Sequence, residues 1–335
     1  MKSAAARAGL AIAALVPLVA LALAVGLASG PGSISLAAAL RGQEPDATVL
    51  FRLRLPRVLL AAEVGAALSV AGVALQALLR NPLADPFVFG LSGGAAIGTA
   101  LVAVFSGSAL AAAASFTGLL PAQLAAVAGA LVAALLVFAL GRARGQLVPE
   151  RALLVGVVFN SFASALVLSM EAVLKPEQTQ AVLLWLSGTL GYEALPLLAG
   201  AAVALLVPAL VLTALAGRLN LLALGDEGAA ALGVDVPRTR LLAFFAASAA
   251  VGVSVAFTGL VGFVGLVVPH AVRLVTGPDH RIVLPASALG GAAFLVLADA
   301  LARLLFRSLG AEPPVGAVTA LLGAPLFIVL LRGRR

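Results

Sequence analysis

The sequence predicts an all-α polytopic membrane protein of about ten transmembrane helices, forming one domain over residues 1–335. Three observations lead there. The chain is 62% hydrophobic and only 10% charged, where a soluble domain carries about 25% charged residues; its mean hydropathy is +1.16. Its apolar residues fall in runs of roughly 20, the length that crosses a bilayer as a helix. Two of the runs are broken by Gly and Pro. One is Gln76-Ala-Leu-Leu-Arg-Asn-Pro-Leu-Ala-Asp-Pro86, running on into Gly90-Leu-Ser-Gly-Gly-Ala-Ala-Ile-Gly98; the other is Gly262-Phe-Val-Gly-Leu-Val-Val-Pro-His-Ala-Val-Arg273, followed by Thr-Gly-Pro-Asp-His-Arg281. Lipid cannot satisfy a broken backbone, so such breaks persist only inside protein or beside water. Matched breaks in two halves of a chain point to a transporter and its pathway.

The first span is expected at about 8–29. Lys2, Arg7 and Ala28-Ser29-Gly30 imitate the two ends of a signal peptide. The run between them exceeds the roughly 7–15 residues of a signal core, so a retained helix is favoured. The second span, about 56–80, starts at Pro56, a residue suited to a first helical turn. Spans three to five are expected at about 89–107, 119–140 and 151–173. Ala181 to Leu190 is too short to cross and is read as re-entrant or surface-lying. The remaining spans are placed at about 195–216, 239–258, 262–276, 281–306 and 315–332, the eighth short enough for a half-crossing. Arg57 to Gly72 and Arg240 to Ala256 share a pattern and run in opposite directions in this topology, as in an inverted repeat.

Short loops rich in Lys and Arg face the cytoplasm. With both termini cytoplasmic, that side holds 14 of the 21 basic residues and the other side 7. The net charge of +7 therefore reports orientation, and no nucleic-acid partner is expected. Five outer arginines run against the bias: Arg52, Arg54 and Arg57 before span two, Arg303 and Arg307 after span nine. They read either as headgroup anchors or as a docking surface for an acidic outer partner.

The longest cytoplasmic segment runs from Arg218 to Arg240. Within it, Asp226 and Glu227 follow Gly225, and Gly233 closes an Ala-rich run, which predicts a short helix with an acidic first turn and a glycine stop. It is an ordinary loop helix or one that fits a cleft in a cytoplasmic partner. Asp299 and Arg303, at i,i+4 spacing, predict an ion pair on one helix face. Glu63, about two turns into span two, reads as paired with an outer arginine or as facing the pathway. Asn160 and Ser164 either line the path or join helices. His270 reads as a hydrogen-bonded structural residue, because no carboxylate or second His stands at ligand spacing and the chain has no Cys. The sequence contains no phosphate-binding Gly-x4-Gly-Lys-Ser/Thr loop and no Ser/His/Asp or His-Glu-x-x-His constellation. ATP hydrolysis by this chain is not expected.

Nine pieces in order resemble the FecCD/BtuC-like permeases of bacterial iron-chelate and cobalamin ABC importers. They are Arg54-Leu-Pro-Arg57, Gly72-Val-Ala-Leu-Gln76, Arg80-Asn-Pro-Leu-Ala-Asp-Pro86, Trp185-Leu-Ser-Gly188, Leu224 to Val234, Gly262 to His270, Asp279-His-Arg281, Ala298 to Arg303 and Glu312 to Pro325. The resemblance implies a type II ABC importer permease, a homodimer in the bacterial inner membrane with its pathway on the dimer axis. It implies two cytoplasmic ATPase subunits, which hold ATP and Mg, and a periplasmic or lipid-anchored substrate-binding protein; this chain itself binds no cofactor or metal. Coupling helices at about 220–236, with Gly225, Asp226, Glu227, Ala230, Leu232 and Gly233, would seat in the ATPases. Asn81 and Leu83 match the inner gate; the companion gate position reads Pro149-Glu150, outside the family pattern. Arg54, Arg57 and Arg303 match arginines that pair with the binding protein. The resemblance implies that span five and the short piece after it line the pathway, which leaves Asn160 and Ser164 as candidate lining residues. The cargo that the resemblance implies is a ferric siderophore or heme, with cobalamin as the alternative; an ion-coupled secondary transporter is the rival class.

Overall fold

The computed structural model describes residues 2–30, 32, 34–105, 121–143 and 146–332. Helix α1 (Lys2–Ala28) is followed by two short helices, α2 (Leu36–Leu40) and α3 (Asp46–Thr48). A π-helical turn over Val49–Arg54 runs directly into α4 (Leu55–Leu79). A 3-10 turn over Pro86–Phe89 leads to α5 (Leu91–Val104), and α6 (Pro121–Leu140) follows. Strands β1 (Arg142–Ala143) and β2 (Gln146–Leu147) pair antiparallel before α7 (Pro149–Glu171) and α8 (Pro176–Leu186). Then come α9 (Leu195–Ala214), α10 (Ala216–Leu222), α11 (Asp226–Ala231), α12 (Val236–Thr258), α13 (Val264–Thr276), α14 (His280–Leu309) and α15 (Val315–Arg332).

The ten described helices of 13 or more residues correspond one to one with the ten expected spans. Six are long and apolar enough to cross a bilayer by themselves; α5, α13 and the apolar parts of α1 and α15 are shorter. The expected end of span three at 107, the start of span four at 119 and Arg144 of the orientation count lie outside the described residues. Two local expectations shift. The short apolar piece read at 181–190 belongs to a helix over Pro176–Leu186, which begins earlier because the Lys175 backbone N–H donates to Gln178 Oε1 at 3.0 Å and closes its first turn. The β1–β2 hairpin departs from an all-helical chain; two residues per strand are too few for alternation to show.

Side-chain pairs define two ends of the bundle, one around Arg57 and one around Asp226. Helix α4 runs from the first end to the second, where Arg80 meets Asp226. Helix α12 runs back, from Arg240 at the Asp226 end to Thr258, whose carbonyl accepts from the Thr189 N–H at 2.8 Å. Each of the two is followed by a non-helical break and then a short helix, so the two broken stretches occupy corresponding places with opposite direction.

Helices α4 and α12 form the centre of the core, and glycine lets α13 and α14 pack closely on α4. A Cβ on Gly72 would stand 1.9 Å from the Gly265 carbonyl oxygen, and one on Gly65 would stand 2.2 Å from that of Gly291. Between α5 and α6, Cβ atoms on Gly94 and Gly129 would each meet the other's carbonyl oxygen, at 2.3 and 2.1 Å. Backbones touch here, which is how helices associate where lipid removes the hydrophobic drive. By contrast, α7 exposes Leu154, Val158, Phe162 and Leu168.

Candidate functional site

At the Arg57 end, Arg54, Arg57 and Arg303 are 5%, 4% and 2% exposed. Arg57 donates to Asp299 Oδ1 through Nε at 2.9 Å and Nη2 at 2.7 Å, to the Tyr192 hydroxyl at 3.2 Å and to Glu312. Arg303 pairs with Asp299 Oδ2 at 2.8 Å, the i,i+4 contact foreseen, and donates to the carbonyls of Gly26 and Ser29 at 2.9 and 2.6 Å. Arg54 donates to the carbonyls of Leu27, Ala28 and Gly32 at 3.0, 3.0 and 2.9 Å. Arg54 and Arg303 thus satisfy the open carbonyls at the C-terminus of α1, where positive charge also suits the helix dipole. The three arginines do not present charge outward as the sequence suggested. Asp299, fully buried, and the α1 carbonyls hold them inside. Exposed basic charge at this end includes Arg41, Arg52 and Lys175.

Glu63 forms no ion pair among the described residues, against one of the two readings; Arg54, Arg57 and Arg303 are taken by Asp299, Glu312 and α1. Its Oε2 is buried without a hydrogen-bond partner. His270 is 1% exposed and meets the Phe327 ring edge-on at 6.0 Å between centroids. No group of three or more metal-ligating side chains occurs among the described residues.

A groove of about 410 Å³ opens between α5, α7 and α8. Ser92, Asn160, Ser164 and Glu171 give it polar points, and Leu168, Leu183 and Leu186 an apolar wall. Of the two roles left open by the sequence, the structure shows the joining one for Asn160. It lines this groove, and its Nδ2 donates to the Phe87 carbonyl at 2.9 Å, pinning the broken segment after α4 against α7. That segment folds inward, since a Cβ on Gly156, two turns into α7, would meet the Val88 carbonyl oxygen at 2.4 Å.

At the Asp226 end, α4 stops where Arg80 turns left-handed, φ 48°. Asn81 follows, exposed, and its Oδ1 accepts from the Leu83 N–H at 2.9 Å; Leu83 is also exposed. Asp85 Oδ1 accepts from the Phe87 N–H at 2.8 Å and starts the 3-10 turn. The foreseen short helix is α11, entered at Gly225 and left at Gly233, both at positive φ. Glu227, Ala230 and Leu232 are exposed on it, with Leu224 just before, so a small apolar tip with one acidic group projects from the bundle. Ala229 and Val234 anchor its other side. Asn220 of α10 donates to Asp279 Oδ1 at 2.6 Å, and this amide holds the Asp279 carboxyl below the usual carboxylate range. No local pattern in the sequence points to the partners of Asp226. It receives both Arg80 and Arg240, the latter at 2.8 Å. Pro149 and Glu150 line the cavity beside this cluster.

A bundle of ten membrane helices, broken at two corresponding places and carrying a projecting helix at one end, defines a multi-pass membrane permease. The model of the FecCD transport family matches residues 14–333, and the chain belongs to that family. It is 43% identical over 304 residues to the cobalamin import system permease protein BtuC of Halobacterium salinarum, covering 90% of this chain and 79% of that protein. It is 41% identical over 289 residues to the hemin transport system permease protein HmuU of Yersinia pestis, covering 86% and 84%. Among solved structures, an inward-facing putative metal-chelate type ABC transporter superposes with a TM-score of 0.83 at 31% identity, over 97% of this chain and 99% of the other.

Proposed function

We propose that this chain is the permease subunit of an ABC importer that carries a bulky metal chelate, a ferric siderophore or heme, across a bacterial inner membrane. It works as a homodimer with both termini cytoplasmic. Two ATPase subunits, which hold ATP and Mg, bind at the Asp226 end, and a periplasmic or lipid-anchored binding protein docks at the Arg57 end. The observation that carries this reading is the projecting α11, whose exposed Leu224 and Leu232 have nothing to pack on within the described chain. Helix-in-cleft docking uses such a tip. The groove beside Asn160 and Ser164 is open on one side, and the exposed apolar face of α7 next to it suits a second copy, which would close the two grooves into one pathway. Asn81 and Leu83 form the inner gate. At the other end, Arg54, Arg57 and Arg303 act in docking indirectly, by fixing Tyr192, Glu312 and the end of α1 under the exposed Arg41 and Arg52.

Cobalamin is the second reading of the cargo, favoured by the 43% identity to a cobalamin permease. An ion-coupled mechanism has little to use: among the described residues, Glu63 is the one carboxylate deep in a span that is outside the arginine network. The test is gentle purification from the native membrane, with mass spectrometry of what remains attached. One ATPase chain per permease is expected, lost on Leu232→Glu. A permease that purifies alone, and that forms no crosslink to an ATPase from Gly225 to Val234, contradicts the reading.

A further inference from the structure

The Asp226 carboxylate is a meeting point for segments far apart in sequence. Its Oδ1 pairs with Nη2 of Arg240, on α12, and with Nη2 of Arg80, the residue that ends α4. Arg80 also donates from Nε to the Leu222 carbonyl, at 3.1 Å, so it grips both α10 and α11. Its left-handed backbone is locked by N–H bonds of Arg80 and Asn81 to the Ala77 and Gln76 carbonyls, at 3.2 and 3.1 Å. Asn81 therefore has little freedom relative to the Arg80 side chain. On the other side, Arg240 Nη1 reaches the Leu147 carbonyl at 3.4 Å, two residues before Pro149. A cavity of about 400 Å³ lies among Arg80, Leu147, Glu150, Asp226 and Arg240.

We propose that Arg80 and Arg240 are positioning residues that tie α11 to both segments flanking the inner mouth, 80–83 and 147–150, so that one displacement of Asp226 moves both. This deepens the importer reading and rests on it. The chemistry suits a link more than a brace. The Arg80–Asp226 pair is about two-fifths exposed on both sides, and exposed pairs add little to stability. Arg240 is 9% exposed on its side chain, so its charge stays on Asp226 and travels with it. Arginine fits where lysine would not, because two separate acceptors, the Leu222 carbonyl and the Asp226 carboxylate, need two donors in a fixed fork.

The test reconstitutes the permease with its ATPase and binding protein in proteoliposomes, with cyanocobalamin and hemin as probes. The quantity read is probe accumulated per ATP hydrolysed. Arg80→Gln is expected to lower it roughly 10-fold, within the range seen when a coupling network is perturbed, with ATPase association and ATPase rate unchanged. Arg80→Lys should recover part of the loss, which a purely structural role would not show. Asp226→Asn releases both arginines, so adding Arg80→Gln to it should cost nothing further. Wild-type stoichiometry in Arg80→Gln, or losses that multiply in the double variant, would overturn the proposal. If Arg80→Gln does not assemble, the same cycle with Arg240→Gln and Asp226→Asn decides it by the same criterion. Absence of ATP-dependent uptake in the unsubstituted complex removes the importer reading and this proposal together; normal uptake with indifferent Arg80 and Arg240 removes the proposal alone.

Discussion

Asp299 shows how far a single residue reaches. It is fully buried and faces two buried guanidiniums, from Arg57 and Arg303. Its pairing with Arg303 was legible as an i,i+4 spacing. Its pairing with Arg57, 242 residues away, was not, because no local pattern encodes it. That missed contact changes the meaning of Arg54, Arg57 and Arg303: they stand against the charge bias because the fold uses them internally. Asp299→Asn leaves the buried Arg303 without a counter-ion and Arg57 with Glu312 alone, and removing one partner of a buried pair costs roughly 3–5 kcal/mol. Thermal unfolding in detergent should show a large loss. Glu312→Gln, at a position 29% exposed on its side chain, should cost about 1 kcal/mol or less in the same assay. Equal effects would contradict the placement of Asp299 at the centre of the network.

At the scale of elements, nearly all the helices were legible, since apolar runs of bilayer length and flanking Pro and Gly are local signals. The ends of α4 and α12 were legible for the same reason: Asn81-Pro82 and Gly259 break the pattern. What the sequence did not reveal is how deep the breaks go. The inward fold of 80–90 depends on Gly156 and Asn160 of α7, a partner helix that no periodicity identifies. The same holds for helix crossings. Gly72 looks like any glycine in an Ala-rich helix, yet the Gly265 carbonyl leaves it no room for a methyl group. Gly72→Val should therefore destabilise the bundle by about 3 kcal/mol or more, because the atom it meets is backbone and cannot rotate away. Gly200→Ala, in α9 with open space around it, should be neutral or stabilising by up to about 1 kcal/mol. Urea or thermal unfolding of the two variants in the same micelle compares them directly, and a tolerated Gly72→Val contradicts the crossing.

For the whole molecule, the division of labour follows from where charge and exposure lie. The described basic residues gather at the two ends, the middle is apolar, and the polar points of the groove are hydroxyls, an amide and one carboxylate. Under the proposed reading such a groove holds its cargo weakly, and direction comes from outside it, through α11. The central claim is therefore that transport is powered by an attached ATPase. Uptake into proteoliposomes holding the permease, its ATPase and its binding protein tests it most directly, with cyanocobalamin and hemin offered outside and ATP enclosed. Accumulation of one of the two that requires both ATP and the binding protein, and that persists when proton and sodium gradients are collapsed, is the predicted result. Uptake that follows an ion gradient and ignores ATP would contradict the account.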